Sequence, residues 1–242
     1  MARKPRWHVD GCAQHIIQRG NNRSACFYSV ADYAFYLHKW KEVSAMSHVK
    51  IHAFVLMANH VHLLASGEDK FSISCMMQAL GRSFVHYINT TYQRTGTLWE
   101  GRYKSSLVST TDYLFTLSRY IELNPVRAGM VTLPGEYPWS SYRPNGMGIT
   151  IGLISEHEEY RGLARTKSGR VHAYRELFKG QLSTEPIEEI RISTNKGWVI
   201  GSEGFRREIE AAIGRKVAKM AWGGDRKSSV FKQTEESSNL TP

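Results

Sequence analysis

Cysteine is scarce in this chain: Cys12, Cys26 and Cys75 make up the whole complement, odd in number and far apart. That count argues against a disulfide framework, and the absence of paired Cys-x-x-Cys ligands argues against a zinc knuckle. Long apolar runs are missing too. The stretch 53–58 is among the longest, far short of the roughly 18 residues that a membrane-spanning helix needs. The opening Met1 to His8 is basic and has no apolar segment, so no secretory leader is expected and a reducing cytoplasm is the simplest setting. Acidic residues are outnumbered, with 22 Asp and Glu against 32 Lys and Arg, a formal net charge of +10 over 242 residues. Hydrophobic residues at 41% are close to the globular average, which excludes a wholly disordered chain, a collagen-like repeat or a coiled-coil rod.

The basic excess is concentrated early: residues 1–145 carry 16 Lys and Arg against 9 Asp and Glu. Such an excess suits a polyanion, because phosphates neutralised by Lys and Arg release their counterions. A surface charge that merely keeps the protein soluble is the other reading.

Hydrophobic periodicity divides the first two-thirds into alternating strands and helices. Residues 12–18 read as a strand, followed by the polar turn Arg19-Gly20-Asn21-Asn22-Arg23. Ser29-x-x-Asp32 forms a capping box, opening a helix with Tyr36, Trp40 and Val43 on one face. Residues 49–57 alternate as a strand, with Val49, Ile51, Ala53, Val55 and Met57 expected on one side. Ala58-Asn59 is a tight turn into a strand over 60–66, then a helix over about 72–92 and a strand over 103–108 follow. Ser109-x-x-Asp112 is a second capping signal, and the helix it opens must end at Asn124-Pro125, since the residue before proline disfavours helix. The order β-α-β-β-α-β with an added helix predicts an α+β, ferredoxin-like antiparallel sheet, its helices on one face and the other face open to a ligand. The Gly-rich stretch 144–152 reads as a boundary. Beyond it short helices are expected over 155–163, 171–178 and 202–213, and a disordered tail from 223.

Three constellations carry chemistry. His60-Val61-His62 puts two imidazoles on one strand face, a ready pair of metal ligands or, alternatively, two half-exposed sheet histidines. Tyr120 and Asn124 are i and i+4 on a helix, where a phenol would stand beside an amide oxygen, although Tyr113 and Leu117 share that face and suit a core role for Tyr120. Arg19 and Arg23 flank a turn whose backbone N–H groups are suited to phosphate. Trp99-Glu100-Gly101-Arg102-Tyr103-Lys104 offers aromatics and cations suited to stacking unpaired bases.

Four segments together resemble the single-tyrosine HUH transposases, and more closely their REP-associated tyrosine transposase branch. They are Gln18 to Arg23, Met57-Ala58-Asn59-His60-Val61-His62-Leu63-Leu64, Leu98-Trp99-Glu100-Gly101-Arg102-Tyr103-Lys104, and Arg119-Tyr120-Ile121-Glu122-Leu123-Asn124-Pro125-Val126-Arg127-Ala128-Gly129. The resemblance covers about residues 8–145, and more softly 173–217, where it resembles a C-terminal extension of some members. It implies a transposase domain over 1–145, a helical accessory region over 146–222, and an enzyme acting on single-stranded, hairpin DNA. By the resemblance His60, His62 and Asn124 hold Mg²⁺ or Mn²⁺, and Tyr120 attacks the scissile phosphate to give a 5′-phosphotyrosine and a free 3′-OH. Insertion-sequence relatives often carry glutamine where this chain has the shorter Asn124. DNA contacts are expected from Arg3, Lys4, Arg6, Arg19, Arg23, Trp99, Arg102 and Lys104, on a monomer or homodimer. The alternatives are a non-catalytic or domesticated palindrome-binding protein, an RRM-like binding module, or a histidine-triad hydrolase. The last needs a third histidine where Leu64 stands.

Overall fold

The computed structural model describes residues 6–180 and 182–217, with the side chains of 110–112 left aside. The tail from 223, and the Asp112 half of the second capping signal, therefore lie outside the described residues. Strands β1 (Ala13–Arg19), β2 (Val49–Met57), β3 (His60–Gly67) and β4 (Lys104–Val108) form one antiparallel sheet in the order β2-β3-β1-β4. Helices α1 (Val30–Met46) and α2 (Ser72–Thr91) complete the ferredoxin-like β-α-β-β-α-β unit, and α3 (Thr110–Glu122) is the added helix. Among the described residues no helix is long and apolar enough to cross a membrane.

The capping box at Ser29 also fixes helix-to-helix packing. Asp32 Oδ2 accepts the backbone N–H groups of Tyr28 (2.7 Å) and Ser29 (2.9 Å), and Oδ1 accepts the phenols of Tyr87 (3.1 Å) and Tyr92 (3.0 Å) from α2 and its C-terminal end. Helices α1 and α2 bury Tyr36, Trp40, Met76, Leu80 and Phe84 against Ile16, Phe54, Leu56 and Leu63 of the sheet. Each such large side chain contributes about 1.5–3 kcal/mol of apolar transfer.

The alternation expected across β2 is interrupted. Ile51 pairs with Ala65 but Ala53 pairs with Leu64, so His52 is the extra residue of a β-bulge. Val49 and Ile51 consequently join the α1/α2 core, while Ala53, Val55 and Met57 face the opposite side. His52 settles in place by bonding the Ser155 carbonyl (2.8 Å) through Nδ1 and Ser66 Oγ (2.6 Å) through Nε2.

That opposite face is not open, contrary to the expectation from strand order. Leu114, Leu117, Tyr120 and Ile121 of α3 and Ile190 of α8 (Thr184–Lys196) cover Ala13, Ala53, Val55, Leu64 and Val108. The bulge explains part of the difference, since it turns an apolar half-strand toward a face that then needs burial. Helix α3 stops at Glu122, and the chain resumes as the single turn α4 (Asn124–Arg127) with proline in its first turn.

Both edges of the sheet are also occupied. Along β2, Leu56 N–H donates to Trp139 (2.9 Å), Ser141 N–H donates to Phe54 (2.9 Å), and the Tyr137 phenol donates to the Leu56 carbonyl (2.6 Å). Along β4, Ile200 N–H donates to Leu107 and Ser109 N–H donates to Ile200, each at 2.8 Å. Unpaired edge backbone is thus satisfied within the chain. The remaining helices are α5 (Tyr142–Met147), α6 (Glu158–Gly162), α7 (Lys167–Glu176) and α9 (Glu203–Ile213), the last ending at Gly214 with φ +70° as its sequence pattern predicts.

Glu122 ties these layers together. Fully buried at the end of α3, it accepts from Ser141 Oγ and Asn145 Nδ2 (3.0 Å) through Oε1, and from the Tyr174 phenol (2.9 Å) through Oε2. Burial pushes its carboxyl up to about 7 from an ordinary 4.5, against the opposing pull of the three donors. Between those two values the folded chain holds a proton that the unfolded chain has released, so this group costs stability as pH rises. Glu122→Gln is therefore expected to match wild type near pH 5 and to exceed it by on the order of 3 kcal/mol near pH 8. Urea unfolding of both proteins at the two pH values measures this; an unchanged difference would show that Glu122 is ionised throughout.

Candidate active site and nucleic-acid groove

The register of β3 puts His60 opposite Arg19 and His62 opposite Ile17 of β1, on the face covered by α3. The two imidazole rings lie 5.0 Å apart, centre to centre, and nearly perpendicular at 82°. His60 Nδ1 donates to Asn59 Oδ1 (2.6 Å), because Asn59 spends its Nδ2 protons on the Arg23 carbonyl (3.0 Å). A neutral imidazole carries one proton, so His60 Nε2 keeps its lone pair.

The turn that carries Asn59 is itself pinned. Gly20 N–H donates to the Asn59 carbonyl (2.8 Å), and Cys26 N–H donates to Ala58 (2.7 Å). Position 20 has no room for a side chain: a Cβ there would stand 2.2 Å from the Ser24 carbonyl oxygen.

Burial keeps this cluster uncharged. His60 is pushed down to about 4, by desolvation and then by Arg19. His62 lies well below the ordinary imidazole range, through burial first and then its neighbours His15, His60, Arg127 and Arg19. His15, on β1, is pushed down to about 3 by burial. Its ring stacks on that of His62 at 5.2 Å, with Nε2 3.0 Å from His62 Nδ1. Neutral imidazole is the metal-binding form.

Tyr120 meets this cluster within the same chain. Its ring centre is 5.6 Å from His62 and 6.0 Å from His15, edge-on to both, and the residue is 6% exposed. The Arg127 guanidinium lies 4.5 Å from the centre of the Tyr120 ring, and its Nη2 donates to the Tyr120 carbonyl (2.7 Å). Arg127 Nη1 is buried with no partner among the described residues, leaving donor capacity beside the phenol. Asn124 opens α4 rather than continuing α3, and its Nδ2 is likewise buried and unpartnered among the described residues.

This donor set fits a divalent ion. Imidazoles bound through nitrogen to one ion, with bonds of about 2.1 Å, have ring centres about 5 Å apart, as His60 and His62 do. Among the described residues no group of three or more His, Cys, Asp or Glu is assembled, so a further donor would be an oxygen of another kind, from an amide, a phosphate or water. Mixed nitrogen and oxygen donors suit Mn²⁺ and accommodate Mg²⁺.

A cavity of about 520 Å³ runs past Ile17 and Arg19, the β1 partners of His62 and His60. Arg6, Arg102, Lys104, Lys196 and Lys216 line it with Arg19, against the single acid Glu100. Arg6 lies 3.6 Å from the centre of the Tyr103 ring and donates to the Tyr103 carbonyl at 3.0 and 3.2 Å. A more apolar cavity of about 700 Å³, floored by α2 residues including Met77, Gly81 and Val85, lies along the same Arg6, Arg102 and Tyr103.

The other expected contacts fall elsewhere. Trp99 is only 6% exposed and packs in the core with Phe84, reaching the more apolar cavity beside Tyr103, whose ring carries Arg6 over it. The 19–23 turn spends its N–H groups internally, Asn21 on Leu98 (2.9 Å), Arg23 on Gly20 (3.0 Å) and Ser24 on Asn21 (2.9 Å), and so forms no phosphate nest. Arg23 is exposed but does not line the groove. Arg3 and Lys4 lie outside the described residues. Residues to which the sequence assigns no site role are His15, Asn59 and Arg127, the last two lying within quoted motifs, and the groove walls Lys196, Trp198 and Lys216. His15 pairs with Leu64 and so stands diagonal to His62 on the β1–β3 ladder, and Arg127 lies seven residues after Tyr120.

Comparison with known proteins bears on what this arrangement is. One solved structure, a REP-associated tyrosine transposase bound to a REP hairpin, is 19% identical over 65% of this chain and 93% of its own, with a TM-score of 0.53, and shares the fold. A putative transposase from Deinococcus radiodurans is 20% identical over 50% of this chain and 96% of its own, with a TM-score of 0.35, too low to carry weight. No curated protein matches. Residues 8–124, just under half of the chain, match the family model described as Transposase IS200 like, so that segment is similar to the IS200-like transposases.

Proposed function

We propose that this protein cuts and rejoins single-stranded DNA at hairpin-forming palindromic elements, as a transposase of the REP-associated tyrosine branch. One observation carries the reading: within a single chain, the Tyr120 ring sits 5.6 Å from His62 of a neutral imidazole pair, and the β1 partners of that pair, Ile17 and Arg19, line a groove with six cations. Tyr120 attacks the phosphorus of the scissile phosphate, forming a 5′-phosphotyrosine as the bond to the 3′ oxygen breaks and leaves a free 3′-OH. A divalent ion bound through His60, His62 and the Asn124 amide would draw charge from a non-bridging phosphate oxygen. Arg127, whose charge lies over the Tyr120 ring, stabilises the phenolate before attack and again on its departure when the strand is resealed. Because a phenol is a far stronger acid than a sugar hydroxyl, the link reverses without an external energy source. The similarity to a structure bound to a REP hairpin, and the four shared motifs, support a folded single strand as the substrate.

Incubated with a hairpin oligonucleotide and Mn²⁺, wild type is expected to yield a covalent protein–DNA band on a denaturing gel. Tyr120→Phe and His60→Ala should yield none, and a band surviving in the Tyr120 variant would remove it as nucleophile. Because pair and phenol share one chain, mixing Tyr120→Phe with His62→Ala protein should not restore the band; recovery would mean that the sites assemble between chains. Replacing Lys104 and Lys196 by Gln is expected to weaken hairpin binding and to flatten its log–log salt slope by roughly 0.7–1 for each phosphate no longer neutralised. An unaltered slope would take the strand out of this groove.

A further inference from the structure

We infer that Thr194 and His15 form a hydrogen-bond relay that fixes His62 in the tautomer with an unprotonated Nε2, making helix α8 a positioning element of the metal site. This rests on the reading of His60 and His62 as metal ligands. The direction of the relay follows from the proton count. Thr194 Oγ1 lies 2.7 Å from the Ile190 carbonyl and 2.7 Å from His15 Nδ1. A carbonyl only accepts, so the single hydroxyl proton goes to Ile190 and a lone pair of Oγ1 faces His15. His15 Nδ1 must then be the N–H, which leaves His15 Nε2 as an acceptor. His62 Nδ1, 3.0 Å away, must donate to it, and the remaining nitrogen of His62 carries no proton. Running the chain backwards would put two oxygens 2.7 Å apart with no proton between them, and would protonate the nitrogen that a metal needs.

All three side chains are buried, at 0% for His15, 4% for His62 and 3% for Thr194, so solvent does not substitute for a missing partner. His60 reaches the same end by a different route, through Asn59. The two ligands are thus oriented independently, one by the β2–β3 turn and one by a helix outside the family-matched segment 8–124.

The test uses the metal-free protein first. Long-range ¹⁵N–¹H correlation spectra of histidine-labelled wild type are expected to show His62 as the Nδ1–H tautomer; an Nε2–H signal would overturn the relay. Thr194→Val, which keeps the shape but removes the oxygen, is expected to mix the tautomers and to weaken Mn²⁺ binding, measured by calorimetry, about 10–100-fold. Thr194→Ser is expected to restore both. If His60→Ala abolishes Mn²⁺ binding while Thr194→Val changes neither tautomer nor affinity, the relay is wrong and the metal reading stands. If His60→Ala binds Mn²⁺ as wild type does, the metal reading fails whatever the spectra show.

Discussion

Removing imidazoles from water while leaving each a bare nitrogen is the constraint around which this fold is arranged. Burial, reinforced by nearby cations, makes His60 and His62 neutral, but a neutral imidazole still has two tautomers, and only one of them leaves a given nitrogen free for a ligand. Asn59 answers the question for His60, and its answer depends on Gly20 and Cys26 clamping the β2–β3 turn from outside. The covering helix α3 supplies the burial and, in its last turns, the phenol. One layer of packing therefore does two jobs: it sets protonation and it brings Tyr120 to the pair. The same packing holds the half-buried Arg127 guanidinium 4.5 Å from the centre of the Tyr120 ring.

The groove shows why the chain beyond the family-matched segment matters. Arg19 and Lys104 come from the sheet, but Lys196 and Lys216 come from after residue 190, and Lys104 Nζ bonds Asn195 Oδ1 at 3.0 Å across the join. Ile200 pairs with β4, and 139–141 pair with β2, so the later chain closes both sheet edges as well as walling the groove. Glu122 binds α3 to α5 and α7 from beneath, which fixes the helix carrying Tyr120 against the segment that protects β2. The helix that carries Tyr120, the edge protection and the groove wall are thus one connected structure.

Much of this was legible in the residues. Period-two and period-3.6 patterns located the six ferredoxin-like elements to within one or two positions, although β2 buries residues on both faces and not the single face its alternation predicts. The His60-Val61-His62 alternation placed both imidazoles on a common face for the same reason. What stayed hidden depends on contacts between distant segments. The His52 bulge is silent in a run, 49–57, that is apolar on both sides of the strand. Helix α8 was missed because Ile187 and Ile190 are its only clear apolar anchors and Pro186 sits in its first turn. The covered sheet face followed from neither strand order nor composition. Trp99 looked like a stacking platform beside Arg102 and Lys104, and only the packing of Phe84 shows that its ring is spent on the core.

The claim at the centre is that the bare nitrogens of His60 and His62 grip one divalent ion beside Tyr120. Pulsed electron paramagnetic resonance of the Mn²⁺-loaded protein, with ¹⁵N-labelled histidine, reads this most directly. Two directly bound imidazole nitrogens are the predicted result. A spectrum with none, or one that is unchanged when both His60 and His62 are replaced by alanine, would contradict the account.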